Sequence, residues 1–206
     1  MKLCIFDFDS TLMDGETVDV LAQAAGQGEA VRRLTEAAMA GELDFFEALT
    51  KRVALLEGLA YERVLKLCRA LPLMPGARET VQTLKTRGYR VVIFSGGFRE
   101  ATRVHTKDLG ADADFANFLH HKRGSLSGRV GGEMMTSDAK GLLLERLQAL
   151  LGVSRQDTVA VGDGANDLSM FERAGTKVAF CAKPVLREAA DFSVETKDVR
   201  EILAFV

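Results

Sequence analysis

The sequence predicts an α/β fold with a parallel sheet core and a small inserted helical cap domain. Short apolar runs, the first at residues 3–6, end abruptly at polar residues or glycine, which is typical of buried parallel strands. From residue 77 onward such runs alternate with segments of helical periodicity, which implies right-handed crossovers in an open sheet. Residues 16–70 show helical periodicity and no strand pattern. An all-helical segment after the first strand is where a cap over a Rossmann-like sheet is expected.

The elements are expected in a fixed order along the chain. Residues 3–6 form the first strand, and four helices follow in residues 16–70. The second of these helices is expected to end near Gly41, and Asp44 is expected to cap the third. The later elements are a helix at 77–87 that ends at Gly88, a strand at 90–94 that breaks at Ser95, a helix at 99–109, a hairpin or irregular excursion at 115–130, a helix capped by Ser137 or Asp138 that runs to 151, a strand at 158–161, a helix at 167–173, and strands at 177–180 and 192–194.

This order divides the chain into two parts. Residues 1–13 and 73–206 are expected to form the Rossmann-like catalytic core. Residues 14–72 are expected to form the helical cap domain that determines substrate specificity. Pro72 and Pro75 mark the return of the chain to the core.

Composition and charge exclude several classes of protein. The 206 residues are 47% hydrophobic and 27% charged, which is ordinary for a globular protein. The net charge of -2, without a dense Lys/Arg block, argues against nucleic-acid binding. No apolar run approaches the roughly 20 residues of a membrane helix, and the first residues do not resemble a signal peptide. Three scattered cysteines without CxxC spacing favour a reducing environment, so a cytoplasmic location is expected.

Polar residues follow three of the predicted strands. Asp7 and Asp9 follow the first strand, Ser95 and Gly96 the second, and Asp163 the third. Ligands in open α/β sheets bind outside the carboxyl ends of the strands, so these residues are expected in one crevice. The same crevice is expected to receive Lys140, from the first turn of a helix, and Asp167.

The carboxylates of this crevice require a cation. Two unit charges 4 Å apart repel by about 4 kcal/mol at an effective dielectric of 20, and one lysine does not balance several aspartates. Hard oxygen ligands with no His or Cys nearby select Mg²⁺. Magnesium would also neutralise charge on a transferring phosphoryl group.

The same residues predict phosphoryl transfer. Asp7 is placed to attack phosphorus and form an aspartyl-phosphate, and Asp9 to protonate the leaving alkoxide and then activate water. This role requires the pKa of Asp9 to lie above its ordinary value, in the direction that nearby negative charge moves it. Ser95, the Gly96 amide and Lys140 are suited to hold phosphate oxygens.

These residues resemble the four motifs of the haloacid dehalogenase-like superfamily. The motifs are Asp7-Phe8-Asp9-Ser10-Thr11-Leu12, Ser95-Gly96-Gly97, Lys140 and Gly162-Asp163-Gly164-Ala165-Asn166-Asp167. The chain further resembles the phosphoserine phosphatases of that superfamily over essentially its whole length. The segments that carry this resemblance are Glu16-Thr17-Val18-Asp19, Phe45, Lys51-Arg52-Val53, Phe94–Phe98, Phe115-Ala116-Asn117 and Phe180-Cys181-Ala182-Lys183-Pro184.

The resemblance implies a role for each site residue. Asp7 would be the nucleophile and Asp9 the general acid and base. Asp7, the backbone carbonyl of Asp9, and Asp163 would bind Mg²⁺. Phosphate would be held by Ser95, Gly96, Lys140 and Asn166, while Asp167 would orient Lys140 or a metal-bound water.

The resemblance also implies the substrate. Glu16 would bind the ammonium group of O-phosphoserine and Arg52 its carboxylate, with Met39 and Phe45 lining a lid. The implied reaction is hydrolysis of O-phospho-L-serine to L-serine and phosphate, the last step of serine biosynthesis. A zwitterionic amino acid does need one anion and one fork-shaped cation, which Arg supplies bidentately.

Three alternatives stay open at this point. The aspartyl-phosphate could be transferred to another alcohol such as homoserine, or the substrate could be another small phosphomonoester such as a sugar or nucleotide phosphate. A non-enzymatic phospho-acceptor domain is disfavoured, because the acceptor lies on the first strand and is followed by its own acid, Asp9. Among the histidines, His105 is expected on a helix surface, and His120 and His121 are expected to point apart rather than form a metal pair.

Overall fold

The computed structural model describes residues 1–39 and 42–206, and its centre is a seven-stranded sheet in the order β4-β3-β2-β1-β5-β6-β7. All neighbouring strands are parallel except the antiparallel pair β3 and β4. This confirms the predicted α/β class, and of the two possibilities expected at 115–130, a hairpin or an irregular excursion, the structure has the hairpin. The strands are β1 Lys2–Phe6, β2 Tyr89–Phe98, β3 Ala113–Lys122, β4 Ser125–Gly132, β5 Thr158–Gly162, β6 Thr176–Phe180 and β7 Phe192–Val194.

Helices cover both faces of the sheet, and several of them lie between β1 and β2 in the sequence. The α-helices are α1 Thr17–Ala24, α2 Gly28–Met39, α3 Phe45–Ala54, α4 Tyr61–Arg69, α5 Ala77–Thr86, α6 Arg99–Leu109, α7 Ala139–Leu151, α8 Leu168–Phe171 and α9 Pro184–Ala189. Two 3-10 helices span Ala165–Asp167 and Val199–Ala204. None of these helices, within the described ranges, is long and apolar enough to span a bilayer.

The central strand β1 explains where the chemistry is placed. Its apolar residues alternate between the two faces of the sheet: Cys4 and Phe6 pack in one hydrophobic cluster, and Leu3 and Ile5 in the other. All four are fully buried, and burying a Leu, Ile or Phe side chain stabilises the fold by roughly 1.5–3 kcal/mol. The strand is therefore held from both sides, and its carboxyl end delivers Asp7 to the edge of the sheet.

The helices α1 to α4 form a block, the helical block, that shares a hydrophobic cluster with one face of the sheet. Asp44 caps α3 as predicted, since its carboxylate accepts the Glu47 amide at 2.8 Å. The block leaves and rejoins the core at one place, where the Asp14 amide donates to the Pro72 carbonyl at 3.0 Å. The division at residues 14 and 72 stays a prediction. The expected end of the second helix near Gly41 lies outside the described residues.

The loop between α3 and α4 is attached to the β3–β4 hairpin. The Gly58 amide donates to the Leu126 carbonyl, and the Leu126 amide donates to the Leu59 carbonyl, both at 2.9 Å. The Tyr61 amide donates to the Gly124 carbonyl, also at 2.9 Å. The hairpin therefore holds the carboxyl-terminal half of the helical block by backbone hydrogen bonds.

One strand prediction was wrong at the residues that matter for the site. Strand β2 does not break at Ser95 but continues to Phe98, with a register shift in its pairing to β3 between Ser95 and Phe98. The Asn117 side-chain amide donates to the Gly96 carbonyl at 3.1 Å, which supplies the hydrogen bond that the irregular ladder lacks. The two glycines are thus bulged out of a continuous strand.

Two local predictions differ from the structure. Helix α7 begins at the predicted place with Asp138 at the N-cap position, but the Asp138 side chain forms no capping hydrogen bond. His105, expected on a surface, is only 3% exposed. Its Nε2 lies 3.0 Å from the Cys68 carbonyl oxygen, because α4 of the helical block packs on α6.

Candidate active site

A buried ion pair lies at the carboxyl end of β1. The Asp7 amide donates to the Val161 carbonyl of β5 at 2.9 Å, which fixes the backbone beyond the strand. Asp7 Oδ1 accepts the Phe8 amide at 2.8 Å and lies 2.6 Å from Lys140 Nζ. The same ammonium group lies 2.6 Å from Asp167 Oδ1. Lys140 therefore joins the end of β1 to the loop after β5.

Lys140 reaches this position because α7 packs closely on the start of α8. A Cβ at Gly141 would collide with the Ser169 carbonyl oxygen, so only glycine permits the approach. Burial disfavours the charge of Lys140, but the carboxylates of Asp167 and Asp7 outweigh it and raise the pKa of the ammonium group. Lys140 is thus a permanent cation beside Asp7.

Three carboxylates form a group that could hold a metal ion. Asp7, Asp163 and Asp167 each offer an oxygen, and these oxygens lie within 4.8 Å of one another. Burial and then the Asp167 charge raise the pKa of Asp7 well above its ordinary value and that of Asp163 to about 6. A hard, divalent cation such as Mg²⁺ fits this all-oxygen donor set and would relieve the repulsion.

Asp167 differs from the other two carboxylates because the protein already engages both of its oxygens. Oδ1 accepts Lys140 Nζ, and Oδ2 accepts the amides of Asp163 and Gly164 at 3.0 and 3.1 Å. A Cβ at Gly162 would collide with the same Oδ2, so the loop closes tightly around the carboxylate. This arrangement is suited to orienting Lys140 and the Asp163 loop.

Asp9 turns its carboxylate away from that group. Oδ1 accepts both the amide of Thr17, at 2.7 Å, and the Thr17 hydroxyl, while Oδ2 accepts the Ser95 hydroxyl at 3.2 Å. Burial raises the pKa of Asp9, and the hydrogen bonds from Thr17 and Ser95 act in the opposite direction. The sequence predicts no separate role for Thr17, which appears only within the segment Glu16-Thr17-Val18-Asp19.

The glycine bulge of β2 lies against Asp9. Ser95 is fully buried, and its hydroxyl also accepts the Gly97 amide at 2.8 Å. A Cβ at Gly97 would collide with Asp9 Oδ2, so this position requires glycine. At Gly96 a Cβ would lie 3.1 Å from Phe45 of the helical block and 3.8 Å from the Asn166 amide nitrogen. The bulge therefore places Ser95, Gly96 and Asn166 close together.

Glu16, the N-cap residue of α1, and Arg52 of α3 line the same cavity, which has a volume of about 610 Å³. Glu16 Oε1 accepts the Ser10 hydroxyl at 2.9 Å; burial, and then the Asp9 charge, raises the pKa of Glu16 to about 7. Arg52 Nε donates to the Ala48 carbonyl at 3.2 Å. Burial lowers the pKa of Arg52, and the carboxylates of Glu16 and Asp19 oppose that shift.

The sequence-predicted residues fall into two groups in the structure. The cavity is lined directly by Asp7, Asp9, Glu16, Arg52, Gly96, Asp163 and Asn166. Ser95, Lys140 and Asp167 are buried. Ser95 contacts Asp9, Lys140 contacts Asp7, and Asp167 is joined to the site through Lys140. Phe45 also lines the cavity, whereas the side chain of Met39 lies outside the described residues. Sequence reasoning gave no role to Asp19 or Lys183, which line the cavity too.

Comparison with known proteins shows close relatives over the whole chain. A family model described as haloacid dehalogenase-like hydrolase matches residues 1–175. A phosphoserine phosphatase of Wolinella succinogenes is 59% identical over 204 residues, which cover 99% of this chain and 99% of the relative.

Solved structures agree with this similarity. The chain resembles a phosphoserine phosphatase solved as an analogue of its phospho-aspartyl intermediate, with a TM-score of 0.95 and 49% identity over 100% of this chain and 98% of the other. It resembles a substrate-bound phosphoserine phosphatase complex with the same TM-score, identity and coverage.

Proposed function

The chain belongs to the haloacid dehalogenase-like hydrolases and, among them, to the phosphoserine phosphatase family, and we propose that it hydrolyses O-phospho-L-serine to L-serine and phosphate. In a cell this would be the last step of serine biosynthesis. The observation that best supports the substrate is the position of Glu16 and Arg52, which line the same cavity as Asp7 and Asp9. An anion and a guanidinium group above a phosphate-binding bulge match the two charged ends of a phosphorylated amino acid.

The cavity residues divide the substrate between them. Glu16 would bind its ammonium group and Arg52 its carboxylate. At the other end, Ser95, the Gly96 amide, Lys140 and Asn166 would hold the phosphate. Phe45, whose ring approaches Gly96, would cover the carbon atoms in between. The related phosphoserine phosphatase solved in a substrate-bound complex supports a small-molecule substrate for this cavity.

Asp7 and Asp9 would perform the chemistry in two steps. A carboxylate oxygen of Asp7 attacks phosphorus, the bond from phosphorus to the seryl oxygen breaks, and Asp9 gives its proton to that oxygen. Water then attacks the aspartyl-phosphate, Asp9 takes the proton from the water, and phosphate leaves as Asp7 is regenerated. The raised pKa of Asp9 supports its service as an acid in the first step.

Magnesium is the proposed cofactor, with Asp7, Asp163 and the backbone carbonyl of Asp9 as the proposed ligands. When bound, it would supply charge neutralisation between the attacking carboxylate and the phosphate. Asp167 would hold Lys140 against Asp7, because Lys140 Nζ lies 2.6 Å from a carboxylate oxygen of each aspartate. Lys140 would in turn bind the phosphate oxygens as negative charge develops on them.

A reducing cytosol is the proposed compartment. Cys4, Cys68 and Cys181 are all free thiols. Burial raises the pKa of Cys4 far above its ordinary value, and burial together with the Glu100 charge raises that of Cys68 to about 12. Buried, protonated thiols with no disulfide partner are suited to such a compartment.

The test is phosphate release from L-phosphoserine beside a panel of sugar phosphates and nucleotides, with Mg²⁺ and with EDTA. The proposal expects a strong, Mg²⁺-dependent preference for L-phosphoserine. Release from other substrates but not from phosphoserine would contradict the substrate while keeping the chemistry. A parallel incubation with homoserine separates hydrolysis from transfer, because phosphohomoserine as the main product would contradict hydrolysis.

A further inference from the structure

A second cavity, of about 490 Å³, lies between α4, α6 and β3. It shares no lining residue with the cavity that contains Asp7 and Asp9. Its polar and aromatic lining consists of Tyr61, Arg99, Glu100, Arg103, Phe118, His120 and His121. We infer that this α4–α6 cavity binds a small molecule that carries a carboxylate or phosphate group and a planar ring. Its size is within the range of ordinary small-molecule sites.

Two arginines supply the attraction for the anionic group. Arg99 and Arg103 are four residues apart on α6, so they lie on the same face of that helix. In the part of the chain that the structure describes, neither guanidinium group forms an ion pair with a carboxylate. Both arginines line the cavity. Guanidinium groups bind carboxylate and phosphate oxygens in a bidentate fashion, and two of them on one wall favour an anion.

Glu100 joins two walls of the cavity. Its Oε1 accepts the Leu119 amide of β3 at 3.2 Å and the Tyr61 hydroxyl of α4 at 3.3 Å. These contacts hold the backbone of β3 and the ring of Tyr61 in place beside the two arginines.

Aromatic rings form the remaining wall. Tyr61 and His121 are stacked, with ring centroids 3.8 Å apart and planes inclined by 17°. Phe118 and His120 are in contact, with centroids 5.0 Å apart, and Phe118 is 38% exposed although it is a large apolar residue. A planar ring of the ligand would cover this exposed aromatic surface.

The position of the cavity links two functional parts of the chain. Arg99 directly follows Phe98, the last residue of the strand that carries the glycine bulge. Tyr61 begins α4 of the helical block. A molecule bound in the α4–α6 cavity would therefore contact the helical block and the helix that follows Ser95, without entering the catalytic cavity.

The inference is tested by calorimetric titration of the full chain with two probes. L-Phenylalanine carries a carboxylate, a ring and an ammonium group; AMP carries a phosphate, a ring and an exocyclic amine. Each is titrated into the unaltered chain, into Arg103→Ser, and into Arg146→Ser as a matched control. Both arginines are exposed residues of helices, so neither substitution threatens the fold, and Arg146 lines neither cavity.

The expected result is binding of at least one probe, with a Kd that rises at least about tenfold in Arg103→Ser and stays unchanged in Arg146→Ser. Binding of L-phenylalanine alone would assign the site to amino-acid carboxylates, and binding of AMP alone to phosphates. No heat from either probe at about 10 mM would overturn the inference. Equal affinity in Arg103→Ser would overturn it too, because it would place the probe in the catalytic cavity or elsewhere.

Discussion

Thr17 donates both its backbone amide and its hydroxyl group to Asp9 Oδ1. Thr17 is the first residue of α1, so the residue that opens the helical block holds the proposed general acid. Asp9 lies two residues beyond the proposed nucleophile, at the carboxyl end of β1. Thr17 therefore connects the helical block directly to the chemistry of the core, independently of any substrate contact.

We predict that Thr17→Val lowers kcat for L-phosphoserine by about 10- to 100-fold, because a hydrogen bond to a charged group contributes roughly 1.5–3 kcal/mol. Valine keeps the shape of threonine at this buried position but removes the hydroxyl donor. Thr17→Ser keeps the donor and is the matched control, with kcat close to that of the unaltered enzyme. Steady-state kinetics and a thermal melt of both variants make the comparison; an unchanged kcat in Thr17→Val would show that the hydroxyl does not serve Asp9.

Much of this site could be predicted because it follows from local patterns. The apolar run that ends at Asp7 identified β1, and parallel topology then required the strand ends to converge. Asp163 and Lys140 were found in the same way, from a strand end and a helix start. The structure brings all of these residues together.

Contacts distant in sequence explain what could not be predicted. His105 was assigned to a surface because the polar periodicity of α6 does not reveal that α4 covers it. Ser95 was expected to end its strand because Gly-Gly usually interrupts a strand, but Asn117 stabilises the bulge and the strand continues. The role of Thr17 depends on the geometry of the chain between Asp9 and α1, which no periodicity encodes.

We predict that Arg52→Ala raises KM for L-phosphoserine by about 10- to 100-fold, because a bidentate bond to the substrate carboxylate is lost. Hydrolysis of 4-nitrophenyl phosphate, which has no carboxylate, should be unchanged. Arg146→Ala, an exposed arginine of α7, is the control for loss of charge. Measurement of KM and kcat with both substrates decides the matter. An unchanged KM for phosphoserine would remove Arg52 from the binding site.

We predict that inhibition by L-serine weakens as the pH falls below 7. The pKa of Glu16 is raised to about 7 by burial and then by Asp9, so its carboxylate is charged above that pH and becomes neutral below it. The ammonium group of serine loses its counterion when Glu16 is protonated. At pH 6 about one tenth of Glu16 is ionised, so the inhibition constant should rise by up to about tenfold between pH 8 and pH 6.

Glu16→Gln supplies the control for this pH dependence. Glutamine does not titrate, so the inhibition constant of L-serine for the Glu16→Gln variant should be high and nearly constant between pH 8 and pH 6. Serine carries no phosphate, which removes ionisation of the substrate phosphate from the comparison. A wild-type inhibition constant that does not change between pH 8 and pH 6 would exclude Glu16 as the group that binds the ammonium.

The most direct test of the central claim is single-turnover phosphate release from L-phosphoserine by Asp7→Asn beside the unaltered enzyme, at saturating Mg²⁺. Asparagine keeps the shape of the side chain but is a far weaker nucleophile, so the account predicts release at the background rate from a variant whose circular dichroism spectrum is unchanged. Release by a folded Asp7→Asn at a rate near that of the unaltered enzyme would contradict the assignment of Asp7 as the nucleophile.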